Sequence, residues 1–92
     1  MQTESRVRIF YNGRVQGVGF RFSFEDAAVE YGIKGFVRNR SDGSVEAVCE
    51  GEETSIERLL LHISRTMSGH IVNSEISRET PRGEFKDFQI RY

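Results

Sequence analysis

The sequence predicts a single α+β domain over residues 1–92, in which an antiparallel sheet carries two helices on one face and a short extra strand at its C-terminal end. Two observations lead to this fold class. The chain has 92 residues, which is the size of one domain. Its apolar residues recur with the period of a strand or of a helix in the order β-α-β-β-α-β, followed by a last short strand.

The first strand and the first helix are separated by a glycine-rich loop. Apolar residues alternate along residues 7–12, which predicts a strand. Residues 13–19 contain three glycines and predict a loop. Residues 20–31 have helical spacing, and Gly32 fits the position just after the last turn. The residues that share one face of this helix are Phe20, Phe24, Ala27, Ala28 and Tyr31.

A hairpin and a second helix follow. Residues 33–39 and 45–50 predict two strands, and the Asp42-Gly43 pair between them is a strong hairpin signal. Residues 54–68 predict a helix, with Thr54 and Glu57 spaced as in a capping box. Its apolar stripe consists of Ile56, Leu59, Leu60, Ile63 and Met67. The acidic residues expected in a solvated turn before it are Glu50, Glu52 and Glu53.

The last strands complete the order of elements. Residues 71–79 predict a fourth strand, and residues 88–92 a short final one after a turn at residues 81–83. This order is typical of the ferredoxin-like, or split β-α-β, arrangement. Because that fold hosts many functions, function has to be argued from a site.

Composition excludes several classes of function. Thirteen Lys and Arg against 14 Asp and Glu give a net charge of −1, so there is no general attraction for nucleic acid or anionic lipid. No apolar run exceeds three residues, so no transmembrane helix is expected, and residues 1–5 lack a secretory signal's apolar segment. The single cysteine, Cys49, excludes an internal disulfide and is expected to be a small buried hydrophobe. The reducing cytoplasm is the predicted location.

Residues 13–21 are the most informative segment, because a glycine-rich loop leaves a strand and opens a helix there. Such a loop can gather backbone N–H groups at the positive end of the helix, which favours a phosphate-sized anion. The segment is neither a Walker A loop nor a dinucleotide fingerprint. The alternative is a tight connection that uses glycines only for their backbone freedom.

Two polar side chains are candidates for this site. Arg21 lies in the first helical turn, where a cation opposes the helix dipole, and a bound anion would remove that conflict. The alternative is a solvated surface arginine. Asn39 ends the second strand and could offer its amide to a water near the anion. The alternative is a residue that hydrogen-bonds its own turn.

Four segments of the sequence resemble the motifs of a known family. Residues 13–21, Gly-Arg-Val-Gln-Gly-Val-Gly-Phe-Arg, closely resemble the acylphosphatase signature. Residues 35–39 are similar to that family's second motif, residues 42–47 to the hairpin that follows, and residues 83–90 to its C-terminal end. Two departures stand out: Phe36 replaces a common Trp, and residues 68–74 lack a Pro-rich turn common there.

The resemblance implies the ferredoxin-like fold and hydrolysis of the carboxyl–phosphate bond of small acyl phosphates, with no metal and no organic cofactor. It implies that Arg21, together with the backbone amides of the loop from Val15 to Phe20, grips the phosphoryl oxygens and that Asn39 orients the attacking water. The phosphate-binding loop would consist of Val15, Gln16, Gly17, Val18, Gly19 and Phe20. The expected partners are the acyl phosphate and phosphate or another oxyanion, with no nucleic acid, no membrane and no second subunit.

Two other functions are alternatives to the hydrolysis of acyl phosphates. Residues 34–37 resemble part of the aromatic motif of RNA-recognition domains, but residues 38–40 lack its second aromatic residue. A non-catalytic anion sensor on the same fold would bind phosphate without turnover. Acetyl phosphate, carbamoyl phosphate and an acyl phosphate of glycolysis are all compatible with a phosphate-directed site.

Overall fold

The computed structural model describes residues 4–92. Within them the chain forms five strands and two helices, and the strands make one sheet in the order β4-β1-β3-β2-β5. The elements are β1 (Glu4–Gly13), α1 (Phe20–Glu30), β2 (Lys34–Asn39), β3 (Val45–Glu52), α2 (Glu53–Thr66), β4 (Ile71–Glu79) and β5 (Phe88–Arg91). Neither helix in this part of the chain is long and apolar enough to cross a membrane.

The predicted ferredoxin-like fold is confirmed, with one difference in the sheet. The strands β4, β1, β3 and β2 are antiparallel neighbours, as expected. The short β5 instead pairs in parallel with β2, so that Arg91 lies beside Arg38. The chain leaves β4 at one edge of the sheet and reaches the opposite edge across the face without helices, where Phe85 packs on Phe36. A strand added after such a crossing joins the sheet as a parallel neighbour of β2.

The hydrophobic core lies between the two helices and one face of the sheet. Alternate residues of β1 point into it, and Val7, Ile9 and Tyr11 are buried as the sequence pattern predicts. The larger side chains that the helices contribute are Phe20, Phe24, Ile56, Leu59 and Ile63, and Met67 joins them directly after the end of α2. Cys49 is also in this core and is fully buried, as expected. Burial raises the pKa of its thiol well above the ordinary range.

The ends of the helices differ in how well the sequence predicts them. Gly32, with a φ of 71°, follows α1 as expected for a residue in the left-handed region after the last turn. The prediction of a capping box at Thr54 is wrong. The strand β3 runs to Glu52 and α2 begins at the next residue, so the Thr54 hydroxyl donates to Glu52 Oε1 at 2.8 Å instead of capping the helix.

A network of arginines and carboxylates covers the face of the sheet without helices. Arg6 is only 3% exposed and donates to Glu50 at 2.6 Å and to Glu79 and Glu84 at 2.8 Å each. The expectation of a solvated turn at Glu50 is therefore wrong. That residue belongs to β3, stands opposite Arg6 in the sheet, and is buried because Arg6 and two backbone N–H groups neutralise and satisfy its carboxylate.

Acidification is expected to weaken the fold through this network. Hydrogen bonds from Arg8 and Arg6 lower the pKa of Glu79 to about 2, well below its ordinary value. A carboxyl whose pKa is depressed on folding contributes stability above its unfolded pKa and loses it as pH falls through the folded pKa. The free energy of unfolding, measured in urea, should therefore fall between about pH 5 and pH 2.

The variant Glu79→Gln isolates the contribution of this carboxylate. It should be less stable than the parent at neutral pH, because Arg6 and Arg8 lose a charged acceptor. It should also lose less stability than the parent on acidification. Identical pH dependence in the two proteins would contradict this account of the network.

Candidate active site

The loop between β1 and α1 is anchored at both ends and exposed in the middle. Val15 and Phe20 are 1% and 2% exposed, and the ring of Phe20 packs against Tyr11 with centroids 5.0 Å apart. Between them, residues 17–19 are exposed. The two buried side chains thus hold the ends of the loop on the core while its middle lies at the surface.

Two glycines shape the exposed part of the loop. Gly17 and Gly19 have φ angles of 76° and 77°, which side chains disfavour, although a Cβ at either position would meet open space. Gly19 precedes α1 and offers no side-chain cap, and the first turn of α1 contains no acidic residue. The N–H groups at the start of α1 therefore have no capping side chain, which suits an anion as their acceptor.

The amide side chain of Gln16 attaches the loop to the β2–β3 hairpin. Its Nε2 donates to the carbonyl oxygens of Arg40 and Ser44, at 2.8 and 2.9 Å. The hairpin turn is closed by a hydrogen bond from the Arg40 N–H to the same Ser44 carbonyl at 2.8 Å. The loop and the hairpin turn are therefore joined at the point where β2 ends and β3 begins.

Asn39 is the last residue of β2, immediately before that turn. Its Oδ1 is buried and accepts no hydrogen bond from any residue in the range 4–92. The alternative role, a side chain that braces its own turn, belongs instead to Asp42, whose Oδ1 accepts from the Ser44 N–H at 2.9 Å and hydroxyl at 2.6 Å. The side-chain carbonyl oxygen of Asn39 is left as a buried acceptor.

Arg21 is half-buried and contacts the C-terminal end of β5. Its Nη1 donates to the Arg91 carbonyl oxygen at 3.4 Å, and its guanidinium carbon lies 4.7 Å from the centroid of the Tyr92 ring. Because Arg91 is aligned with Arg38, the end of β5 lies beside the end of β2 and hence near Asn39. The structure thus brings Arg21, Asn39 and the glycine loop to one end of the sheet.

Two contributions to this site were missed by reading the sequence. One is the side chain of Gln16, because the sequence predicts a role only for its backbone N–H. The other is the contact of Arg21 with Arg91 and Tyr92. The hydrogen bonds involved join residues 24, 28 and 70 positions apart. No local sequence pattern predicts hydrogen bonds between residues so far apart, because these contacts form only when the sheet is complete.

Other reactive side chains lie apart from this cluster. His62 packs edge-on against Tyr31, with ring centroids 6.0 Å apart. Cys49 is in the core, remote from solvent. Within the part of the chain that the structure describes, no three His, Cys, Asp or Glu residues are grouped as metal ligands. Metal independence stays a prediction.

Comparison with known proteins agrees with the fold. The acylphosphatase family model matches residues 7–90. An acylphosphatase from Pyrobaculum aerophilum is 43% identical over 88 residues, covering 94% of this chain and 93% of that protein. The crystal structure of an acylphosphatase from Bacillus subtilis superposes with a TM-score of 0.86 at 28% identity, covering 96% of this chain and 99% of the other.

A similar region also occurs within a larger protein. Full-length HypF, solved in its phosphate- and nucleotide-bound form, matches with a TM-score of 0.83 at 30% identity, covering all of this chain and 12% of that one. The family model and the relatives of matching length agree over nearly the whole sequence. The chain therefore belongs to the acylphosphatase family, whose members hydrolyse acyl phosphates.

Proposed function

We propose that this protein hydrolyses the carboxyl–phosphate bond of small acyl phosphates, with the phosphoryl group held by Arg21 and the loop and the attacking water oriented by Asn39. The observation that carries the proposal is the Asn39 Oδ1, a buried acceptor to which no described residue donates. A buried carbonyl oxygen needs a donor. A turn of the Asn39 side chain toward the loop would bring this oxygen within reach of a water O–H, which can supply that donor. Such a water would lie between β2 and the exposed loop.

The phosphoryl group suits the loop for electrostatic reasons. The exposed residues 17–19 and the uncapped start of α1 offer backbone N–H groups as donors, and the Arg21 guanidinium provides a planar cation. Arg21 is placed where it opposes the helix dipole, and an anion bound between the two would reverse that penalty. Phosphoryl transfer depends mainly on positioning and on stabilising charge on the equatorial oxygens, which these groups can do.

The reaction balances without a general acid. The water oxygen attacks phosphorus on the side opposite the acyl oxygen, and a new P–O bond forms as the bond from phosphorus to the acyl oxygen breaks. The electron pair leaves with the carboxylate, which is a weak base and needs no proton. One proton of the water passes to a phosphoryl oxygen, giving inorganic phosphate. Asn39 contributes by holding the water in line, a proximity effect.

The remaining features of the proposal come from the sequence. We assign no role to a metal or an organic cofactor, because Arg21 and the loop supply the charge and the donors that phosphoryl transfer needs. The near-neutral net charge argues against nucleic-acid and membrane partners, and the single cysteine favours the cytoplasm. We also propose that the protein acts as a monomer.

Hydrolysis of benzoyl phosphate by the purified protein tests the proposed function. The expected result is release of benzoate and phosphate at the same rate with and without a metal chelator. Inorganic phosphate, which occupies the same loop, should inhibit competitively. Loss of turnover on adding chelator would contradict metal independence. Binding of phosphate by a folded protein that gives no turnover would identify an anion sensor instead.

A further inference from the structure

The bridging amide of Gln16 connects the two halves of the proposed site. Its side chain is half-buried, and both hydrogens of its Nε2 are used, one for each carbonyl of the hairpin turn. The same residue contributes its own backbone to the loop that would hold the phosphoryl group. A displacement of either part is therefore transmitted to the other through one side chain.

The hairpin turn behaves as a braced unit to which the loop is attached. The Ser44 carbonyl accepts from the Arg40 N–H as well as from Gln16, and the Arg40 carbonyl accepts from the Gly43 N–H at 3.2 Å. Asp42 braces the turn from within. Because Arg40 directly follows Asn39, fixing the Arg40 peptide also fixes the end of β2 from which the Asn39 side chain projects.

We infer that Gln16 is a positioning residue that sets the distance between the bound phosphoryl group and the water held by Asn39. This inference rests on the proposed function. In-line attack requires the water oxygen and phosphorus at near-contact distance, and an error of about 1 Å can cost on the order of 10²-fold in rate. Gln16 touches neither partner of the reaction through its side chain and acts only through the loop and the turn.

A purely structural role would have a different signature. If Gln16 only held the loop in shape, its loss would weaken phosphate binding and lower stability, and the effect on turnover would be independent of Asn39. If it positions the loop against Asn39, its loss should lower kcat and spare phosphate affinity. That loss should also disappear once the Asn39 side chain has been removed, because there is then no oriented water to misplace.

The experiment is a double-mutant cycle of Gln16→Met with Asn39→Ala, assayed with benzoyl phosphate and with inorganic phosphate as inhibitor. Methionine keeps the length of the side chain and donates no hydrogen bond. We expect Gln16→Met alone to lower kcat by about 10- to 100-fold, with the phosphate inhibition constant changed by less than about threefold. In the Asn39→Ala background, the same substitution should change kcat by less than about twofold.

Two further variants complete the design. Gln16→Glu has the same shape but places a carboxylate against two carbonyl oxygens, so it should lose at least as much kcat. Gln16→Glu also provides the test if the Gln16→Met protein does not fold. Gln89→Met is the matched control, since the Gln89 side chain is exposed and faces Asp87 at 3.5 Å, and it should retain the activity of the parent.

The outcomes separate the inference from the function on which it rests. Unchanged kcat in both Gln16 variants, or multiplicative losses with Asn39→Ala, would overturn the positioning role while leaving the hydrolase intact. A rise in the phosphate inhibition constant as large as the fall in kcat would assign Gln16 to phosphate binding instead. A parent protein that does not hydrolyse benzoyl phosphate would refute the proposed function itself.

Discussion

Replacement of Arg21 by alanine is expected to lower kcat/KM for benzoyl phosphate by at least about 10²–10³-fold, the loss typical of removing one preorganised donor from a developing anion. Arg21 is the charged side chain at the start of α1, and it donates to the phosphoryl oxygens both before and during transfer in the proposed mechanism. The inhibition constant of inorganic phosphate should rise in the same variant. Steady-state kinetics with phosphate as competitive inhibitor measure both effects.

Three controls make this result specific. Arg21→Lys should lose most of the activity as well, because a point charge does not reproduce the planar fork of a guanidinium. Arg58→Ala removes an exposed arginine from α2 and should behave as the parent. The Arg21→Ala protein should remain folded, because losing the stacking on Tyr92 is offset by removing a cation from the positive end of α1. Full activity in a folded Arg21→Ala protein would exclude the proposed role.

Replacement of Asn39 by alanine is expected to reduce kcat by about 10- to 100-fold through loss of an oriented nucleophile. Affinity for inorganic phosphate should be nearly unchanged, because the loop and Arg21 hold the anion. The free energy of unfolding should also be preserved. The Asn39 Oδ1 accepts no hydrogen bond from residues 4–92, so the substitution breaks none at this atom. The measurement compares kcat, the phosphate inhibition constant and urea unfolding.

A second substitution and a matched control sharpen the test of Asn39. Asn39→Asp keeps the shape but adds a negative charge near the bound anion, so it should lose phosphate affinity as well as kcat. Asn73→Ala removes an exposed amide from β4 and should retain the activity of the parent. If Asn39→Ala weakened phosphate binding as strongly as Arg21→Ala, the separate roles of the two residues would be wrong.

Much of the fold follows from patterns within short stretches of sequence. Alternation in β1 predicts which of its side chains reach the core, and the helical spacing around Phe24 predicts the buried face of α1. The Asp42-Gly43 pair predicts the hairpin turn that forms there. These features are predictable because each depends on a few neighbouring residues and on the side of the element that is buried.

Features that depend on distant strands could not be predicted in the same way. Glu50 cannot be told from its acidic neighbours Glu52 and Glu53 in sequence, and only the cross-strand position of Arg6 makes its full burial favourable. The parallel pairing of β5 depends on a crossing of the whole sheet. The candidate site follows the same division: the loop and Arg21 stand out locally, whereas the bridge from Gln16 to the hairpin requires the folded structure.

Cys49 lies on β3 between β1 and β2, opposite Val7 on one side and Gly35 on the other, and is fully buried. A thiol reagent can reach its sulfur only when these three strands separate or the helices lift away, because the thiolate forms readily only in water. The rate of labelling under native conditions therefore reports how often the centre of the sheet opens. The single thiol is an internal reporter of global opening that does not respond to motion of the loop or the hairpin turn.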